Sequence, residues 1–249
     1  MPVQFETQGA IAYVTLSNPG KLGAMSREMW RELAVGFERM QRDGKHRCIV
    51  VRGEGGAFCA GGDIAEYPQF RFEVRKLHDF HEQDVWGGLR AVLYCDIPVI
   101  AQIEGACMGA GMEIASCCDI RIAGESAKFG APIAKLGFPM APREAQVVAR
   151  AAGEHTAREM LLEAAVLDAQ EMKARRFLNR VVPDAEVAGN ARKSAERIAE
   201  LAPQAAKMNK RTLRALQSGK AVPYAYDYAP SAEHREGVAA FLEKRKPAF

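Results

Sequence analysis

Residues 10–16, Ala-Ile-Ala-Tyr-Val-Thr-Leu, place apolar side chains at a period of two and predict a half-buried strand. The period then changes. Behind Ser26, a residue suited to an N-cap, Met29, Leu33, Phe37 and Met40 recur at three- and four-residue spacing. They predict a helix running to about Arg42, which Gly44 ends. Short apolar runs at 48–52, 97–103, 119–123 and 128–129 predict further strands, with a polar, amphipathic region from Asp63 to about Tyr94. After Pro142 the pattern is almost wholly helical. Helices are predicted near 143–152, 156–164, 169–176, 184–200, 203–217 and 231–244, interrupted by a short strand at 180–182. Strands alternating with helices imply a layered α/β fold. The break near Pro183 divides an α/β core, 1–183, that holds the active site from a helical C-terminal region, 184–249.

Two glycine-rich stretches interrupt these elements. Residues 58–63 read Phe-Cys-Ala-Gly-Gly-Asp, and residues 105–113 read Gly-Ala-Cys-Met-Gly-Ala-Gly-Met-Glu. Each lacks side chains that would keep a ligand off the backbone, and each leads into a helix start, where free N–H groups make an anion site. Two such sites converging on one atom would form an oxyanion hole. Glu113 beside the second stretch is the only charge between Glu104 and Asp119. Desolvation raises a carboxyl pKa, which suits proton transfer near neutral pH. A buried ion pair is the structural reading of the same residue. Asp63 reads as a helix cap. No complete G-x-G-x-x-G, P-loop or G-x-S-x-G sequence occurs, so nucleotide-cofactor and serine-hydrolase readings are set aside.

Composition narrows the class further. The chain has 249 residues, 48% hydrophobic and 26% charged, which is ordinary for a globular enzyme able to bury a sizeable core. A net charge of +3 is too small to imply nucleic acid by itself. Residues 1–7 show neither a basic n-region nor an apolar h-region, and no apolar run reaches membrane-spanning length. Six cysteines without metal-ligand spacing read as buried free thiols of a reducing cytoplasm, a zinc site being the weaker alternative. The histidines at 46, 78, 81, 155 and 234 sit among polar residues and read as surface groups, although His78 and His81 share a helix face that could approach a pocket. Lys207, Lys210, Arg211 and Arg214 share another face, read as solvated, with phosphate or RNA contact as the sharper option.

The order and spacing of several blocks resemble the crotonase (enoyl-CoA hydratase/isomerase) superfamily over nearly the whole chain. The blocks are Asn18-Pro19, residues 56–64, 97–101, 105–113, 118–124, 127–130 and 136–139, and the tail 236–246. The resemblance implies a spiral of ββα units with a helical C-terminal region that trimerises, often as a dimer of trimers. It implies acyl-CoA thioester substrates, with CoA arriving as part of the substrate and no separate cofactor or metal. Gly62 and Ala110 match the family's two oxyanion-hole N–H donors; most members have glycine at the second place, but alanine keeps its N–H. Family CoA contacts fall near Lys21, Leu22, Ala60, Asp63 and Ile64, and Phe241 and Lys244 would reach a neighbouring subunit's CoA.

Glu113 matches the first of the two catalytic glutamates of true hydratases. Ile133 stands where the second belongs. Three readings follow. Glu113 alone shuttles a proton, as in single-carboxylate isomerases; a substrate group supplies the missing function; or Glu144 substitutes, its structural reading being favourable placement at a helix N-terminus. A non-catalytic member that binds CoA thioesters or RNA is the remaining class.

Overall fold

The computed structural model describes residues 2–249. The chain opens with β1 (Val3–Gln8) and β2 (Ile11–Leu16), paired antiparallel. Then come α1 (Arg27–Asp43), β3 (Cys48–Gly53), a 3₁₀ turn (Ile64–Gln69), α2 (Val74–Asp79), a π-helical turn (Phe80–Val85) and α3 (Trp86–Leu93). The central part holds β4 (Val99–Ile103), β5 (Ala106–Met108), α4 (Ala110–Cys117), β6 (Ile120–Gly124), β7 (Lys128–Gly130) and a 3₁₀ turn (Ile133–Leu136). The remainder is α5 (Pro142–Ala152), α6 (Glu154–Leu162), β8 (Val166–Asp168), α7 (Ala169–Ala174), β9 (Arg180–Val182), α8 (Val187–Ala199), α9 (Pro203–Gln217) and α10 (Ala232–Leu242).

Six strands form one sheet in the order β1-β2-β3-β4-β6-β9, parallel throughout except for the β1–β2 pair. Strands β5, β7 and β8 form a second sheet. In α1 the predicted boundaries hold for a physical reason. The Ser26 side chain accepts from the Met29 N–H, and Gly44 adopts the left-handed conformation while its N–H bonds Met40 O. The predicted stripe, joined by Trp30, packs on the sheet face that carries Val14, Ile49, Val51 and Val99. The opposite face, with Ile11, Tyr13, Val50, Ile100 and Ile122, is covered by Ala191 and Ala195 of α8.

That second cover corrects one expectation. Strand β2 is buried along its whole length rather than half-buried, because helices lie on both faces of a parallel sheet. Strands β1, β5 and β8 carry too little periodicity of their own to be read from sequence; partner strands recruit them. The sequence break at Pro183 falls between β9 and α8. Helix α8 still packs across the sheet, whereas α9 and α10 bury one residue each, Lys210 and Ala240.

Candidate active site

The two glycine-rich stretches lie side by side. Cys59 and Cys107 form a parallel bridge, with the Cys59 N–H donating to Ala106 O and the Met108 N–H to Cys59 O. On the other side, Met25 N–H donates to Gly61 O and Asp63 N–H to Met25 O. The residue between, Gly62, makes neither of these bonds and lines the cavity. A Cβ at Gly62 would collide with the Tyr67 hydroxyl, so a side chain there would displace that ring. Gly109 turns the chain from β5 into α4 at φ +46° and ψ −108°, a combination L side chains avoid. Its N–H is held by Gly130 O at 2.8 Å. As the first residue of α4, Ala110 has an N–H without an intrahelical acceptor. Gly62 and Ala110 thus border one cavity of about 230 Å³.

Glu113 projects into this cavity from a helix whose residues are all buried. No side chain among the described residues hydrogen-bonds to it. Burial pushes its pKa well above the ordinary carboxylate value; nearby Glu144 pushes the same way and Arg71 opposes. Glu144 reaches the cavity from the first turn of α5, which packs against α4. It is almost fully buried, and its Oε1 lies 2.8 Å from His81 Nδ1. The Arg71 Nη1 approaches His81 Nε2 at 3.4 Å. A guanidinium can only donate, so the network assigns the Nδ1–H tautomer, donating to Glu144 and accepting from Arg71.

His81 owes this position to its neighbours in the π-helical turn, where one extra residue per turn re-aims side chains. Phe80 is buried against Phe70, their ring centroids 4.4 Å apart. Asp84 is buried between Arg27 and Arg31 of α1, at 2.8 and 2.7 Å. Arg143, beside Glu144, pairs with Glu82 at 3.2 Å and covers the Trp86 ring, tying α5 to the same segment. The surface reading of His81 is therefore wrong: the ring is one-sixth exposed and faces the cavity. His78 does stay outside, beside Asp79.

Other predicted residues divide by location. Ile133 lines the cavity and brings no acid to it. Ala60 and Ile64 also line it. Asp63 accepts from the Ala65 N–H and pairs with Lys21 Nζ at 2.6 Å, while Ala60 N–H donates to Leu22 O. Lys21, Leu22, Ala60, Asp63 and Ile64 therefore form one continuous rim. Phe241 and Lys244 are exposed on and just after α10 and do not line this cavity. Sequence reading missed Tyr67 and Arg71. Their spacing of four, a helical period in the region read as amphipathic, was the available signal.

The basic face of α9 is also corrected. Lys210 is buried, bonded to Ile97 O at 2.9 Å and Asp119 at 2.6 Å. Arg211 and Arg214 both pair with Asp96. These cations dock the helix and are not a free stripe for phosphate. All six cysteines are buried and unpaired. Among the described residues no group of three metal-ligating side chains occurs, and no helix is long and apolar enough to cross a membrane.

Comparison with known proteins agrees along the full chain. Residues 6–249 match the enoyl-CoA hydratase/isomerase family. A Mycobacterium tuberculosis protein named as a probable enoyl-CoA hydratase is 32% identical, covering 98% of this chain and 96% of that one. The short-chain-enoyl-CoA hydratase of Clostridium acetobutylicum is 29% identical over 98% of this chain and 95% of its own. The crystal structure of an enoyl-CoA hydratase/carnithine racemase from Magnetospirillum magneticum superposes with a TM-score of 0.96 at 38% identity, covering 100% of this chain and 95% of that chain.

Proposed function

Because the chain belongs to the enoyl-CoA hydratase/isomerase family, we propose that it transforms an acyl-CoA thioester through an enolate held by the N–H groups of Gly62 and Ala110. The observation that carries this reading is the convergence of those two residues with Glu113 and Glu144 on one cavity. In a low-dielectric pocket, preorganised N–H donors aimed at a developing oxyanion are each worth about 10²–10³ in rate. CoA is part of the substrate, so no separate cofactor takes part.

The carboxylate pair suits hydration of a 2-enoyl thioester, with Glu144 replacing the acid that residue 133 lacks. Glu144 takes a proton from water as the water oxygen bonds the β-carbon. The electrons of the C=C bond move to the thioester oxygen, between the Gly62 and Ala110 N–H groups. Glu113, kept protonated by burial, gives its proton to the α-carbon as the carbonyl re-forms. Exchange with solvent returns the proton from Glu144 to Glu113, so the net change is one added water. His81 holds one oxygen of Glu144 and leaves the other for water. Ile133 on the cavity wall favours a second reading, in which Glu113 alone moves a proton between the α- and γ-carbons and isomerises a 3-enoyl thioester.

Turnover of 2-butenoyl-CoA and 3-hexenoyl-CoA by the wild type, Glu113→Gln and Glu144→Gln separates these readings. Positioned acid/base groups contribute about 10²–10⁴ each, so hydration should fall by that factor in both variants. Loss of isomerisation in Glu113→Gln alone would select the single-carboxylate reading. Full activity of Glu113→Gln on the preferred substrate would overturn both. Thioester binding that persists in Glu113→Ala, with no turnover by the wild type, would instead mark a binding protein.

The rim residues Lys21, Leu22, Ala60, Asp63 and Ile64 are the CoA contacts of this reading. Phe241 and Lys244 reach CoA in a neighbouring copy. Exposed Leu213, Leu216, Tyr224, Phe241 and Leu242 suit self-association of the C-terminal region, which predicts a trimer or a dimer of trimers in sedimentation.

A further inference from the structure

Arg71 is the only guanidinium or ammonium among the described residues lining the cavity. Its side chain is not aimed at a structural carboxylate: no ion pair to it within 4.0 Å occurs among the described residues. The guanidinium lies instead across two rings, 4.4 Å from the Tyr67 centroid and 3.6 Å from that of Phe138. The Arg71 N–H also anchors the backbone on Tyr67 O at 2.9 Å. Stacking of this kind fixes the plane of the fork before any ligand arrives. Of the five N–H donors, one is engaged, by His81. Glu144 already has its own donor in His81. A half-buried cation with free, preorganised donors therefore faces a cavity whose wall carries the Glu113 and Glu144 carboxyls and is otherwise mostly apolar.

Such a cation carries a desolvation cost that a bound anion would offset. Three anions could come from an acyl-CoA thioester. The enolate oxygen belongs to Gly62 and Ala110. The CoA phosphates belong outside the cavity, on the side of the Lys21 rim. The third is a carboxylate on the acyl chain, and Arg71 sits on the Glu144–His81 side where that chain would run. We propose that Arg71 selects acyl-CoA thioesters whose short acyl chain ends in a carboxylate. Planar, bidentate recognition of a carboxylate is what a stacked guanidinium does best. Cavity size sets the length. At about 230 Å³, below the roughly 300–1,000 Å³ of pockets that hold drug-sized ligands, the cavity takes a short acyl chain.

This inference rests on the acyl-CoA reading, and binding of non-reacting thioesters tests the two separately. Calorimetric titration compares 4-carboxybutanoyl-CoA with pentanoyl-CoA, which has the same carbon chain and no charge. Wild type should prefer the carboxylated thioester by about ten- to hundredfold, the range expected for hydrogen bonds to a charged group. Arg71→Met should abolish that preference, and Arg71→Lys should keep only part of it. Circular dichroism and thermal melting confirm that each variant is folded, and an unfolded Arg71→Met leaves the wild-type preference and Arg71→Lys as the deciding measurements. No preference in the wild type overturns the proposal, as does an equal loss of both thioesters in Arg71→Met, which would assign Arg71 to CoA phosphate or to holding His81. If neither thioester binds the wild type, the acyl-CoA reading falls together with it; if pentanoyl-CoA binds as well as its charged partner, only this inference falls.

Discussion

Replacing Glu113 with glutamine tests whether burial keeps this carboxyl protonated in the native protein. Glutamine matches the shape of the side chain but cannot ionise, so the variant removes one titration and leaves the packing of α4. The Glu113 pKa is raised in the folded state, first by burial and then by Glu144. A group with a raised folded value binds its proton more tightly in the native than in the unfolded chain. Its contribution to stability is complete below the ordinary carboxylate value and is lost as pH rises toward the folded value. Within that window, one proton gives a slope of at most about 1.4 kcal/mol per pH unit. From about pH 5.5 to about pH 7.5, the wild type should lose up to about 2–3 kcal/mol relative to Glu113→Gln. At this chain length that corresponds to a gap of roughly 4–12 °C in Tm. The assay is urea unfolding followed by far-ultraviolet circular dichroism, at one protein concentration, across that pH range. Taking the difference between the two proteins cancels the titrations they share. Repeating the series in Glu144→Gln measures how far that neighbour raises the Glu113 value. Parallel stability curves for wild type and Glu113→Gln would refute the reasoning: the native carboxyl would then ionise like an exposed one.

Three further outcomes follow from contacts elsewhere in the site. His81→Asn should lower kcat on the preferred thioester with little change in KM, because Glu144 loses the donor that holds one of its oxygens; an unchanged kcat would leave His81 only a packing role. Gly62→Ala places a Cβ against the Tyr67 hydroxyl and should cost about 1–3 kcal/mol; adding Tyr67→Phe should recover most of the loss, and failure of that rescue in a thermal melt would assign the cost to backbone conformation instead. Burial pushes the Cys59 and Cys118 thiols up to about 12, so a thiol reagent at pH 8 should label neither in the native protein and all six cysteines after denaturation; rapid native labelling at these two positions, read by mass spectrometry, would contradict their placement.

Much of the architecture was legible because it is local. The stripe of Met29, Leu33, Phe37 and Met40, with Ser26 and Gly44 at its ends, specifies α1 without reference to anything else. The two glycine stretches were legible for the same reason. The free N–H at the start of α4 follows from the Gly109 backbone, which few residues permit, and Gly62 is marked by the lack of room for a side chain beside Tyr67. Strands β1, β5 and β8 were not legible, because their hydrogen bonds come from partners distant in sequence.

The chemistry at the cavity divides along the same line. The sequence by itself determined that Glu113 follows a glycine turn at a helix start, that Ile133 brings no acid, and that Glu144 begins a helix. Tertiary structure alone decided that Glu144 and Glu113 share a cavity, because that depends on how α5 packs against α4. It likewise decided that His81 and Arg71 face inward, through the burial of Phe80 and Asp84 and the stacking of Arg71 on Tyr67 and Phe138. A helix or a turn is specified within one segment of chain. The direction in which a polar side chain of an amphipathic segment points is set by which neighbours exclude water from it, and those neighbours arrive only when the chain folds.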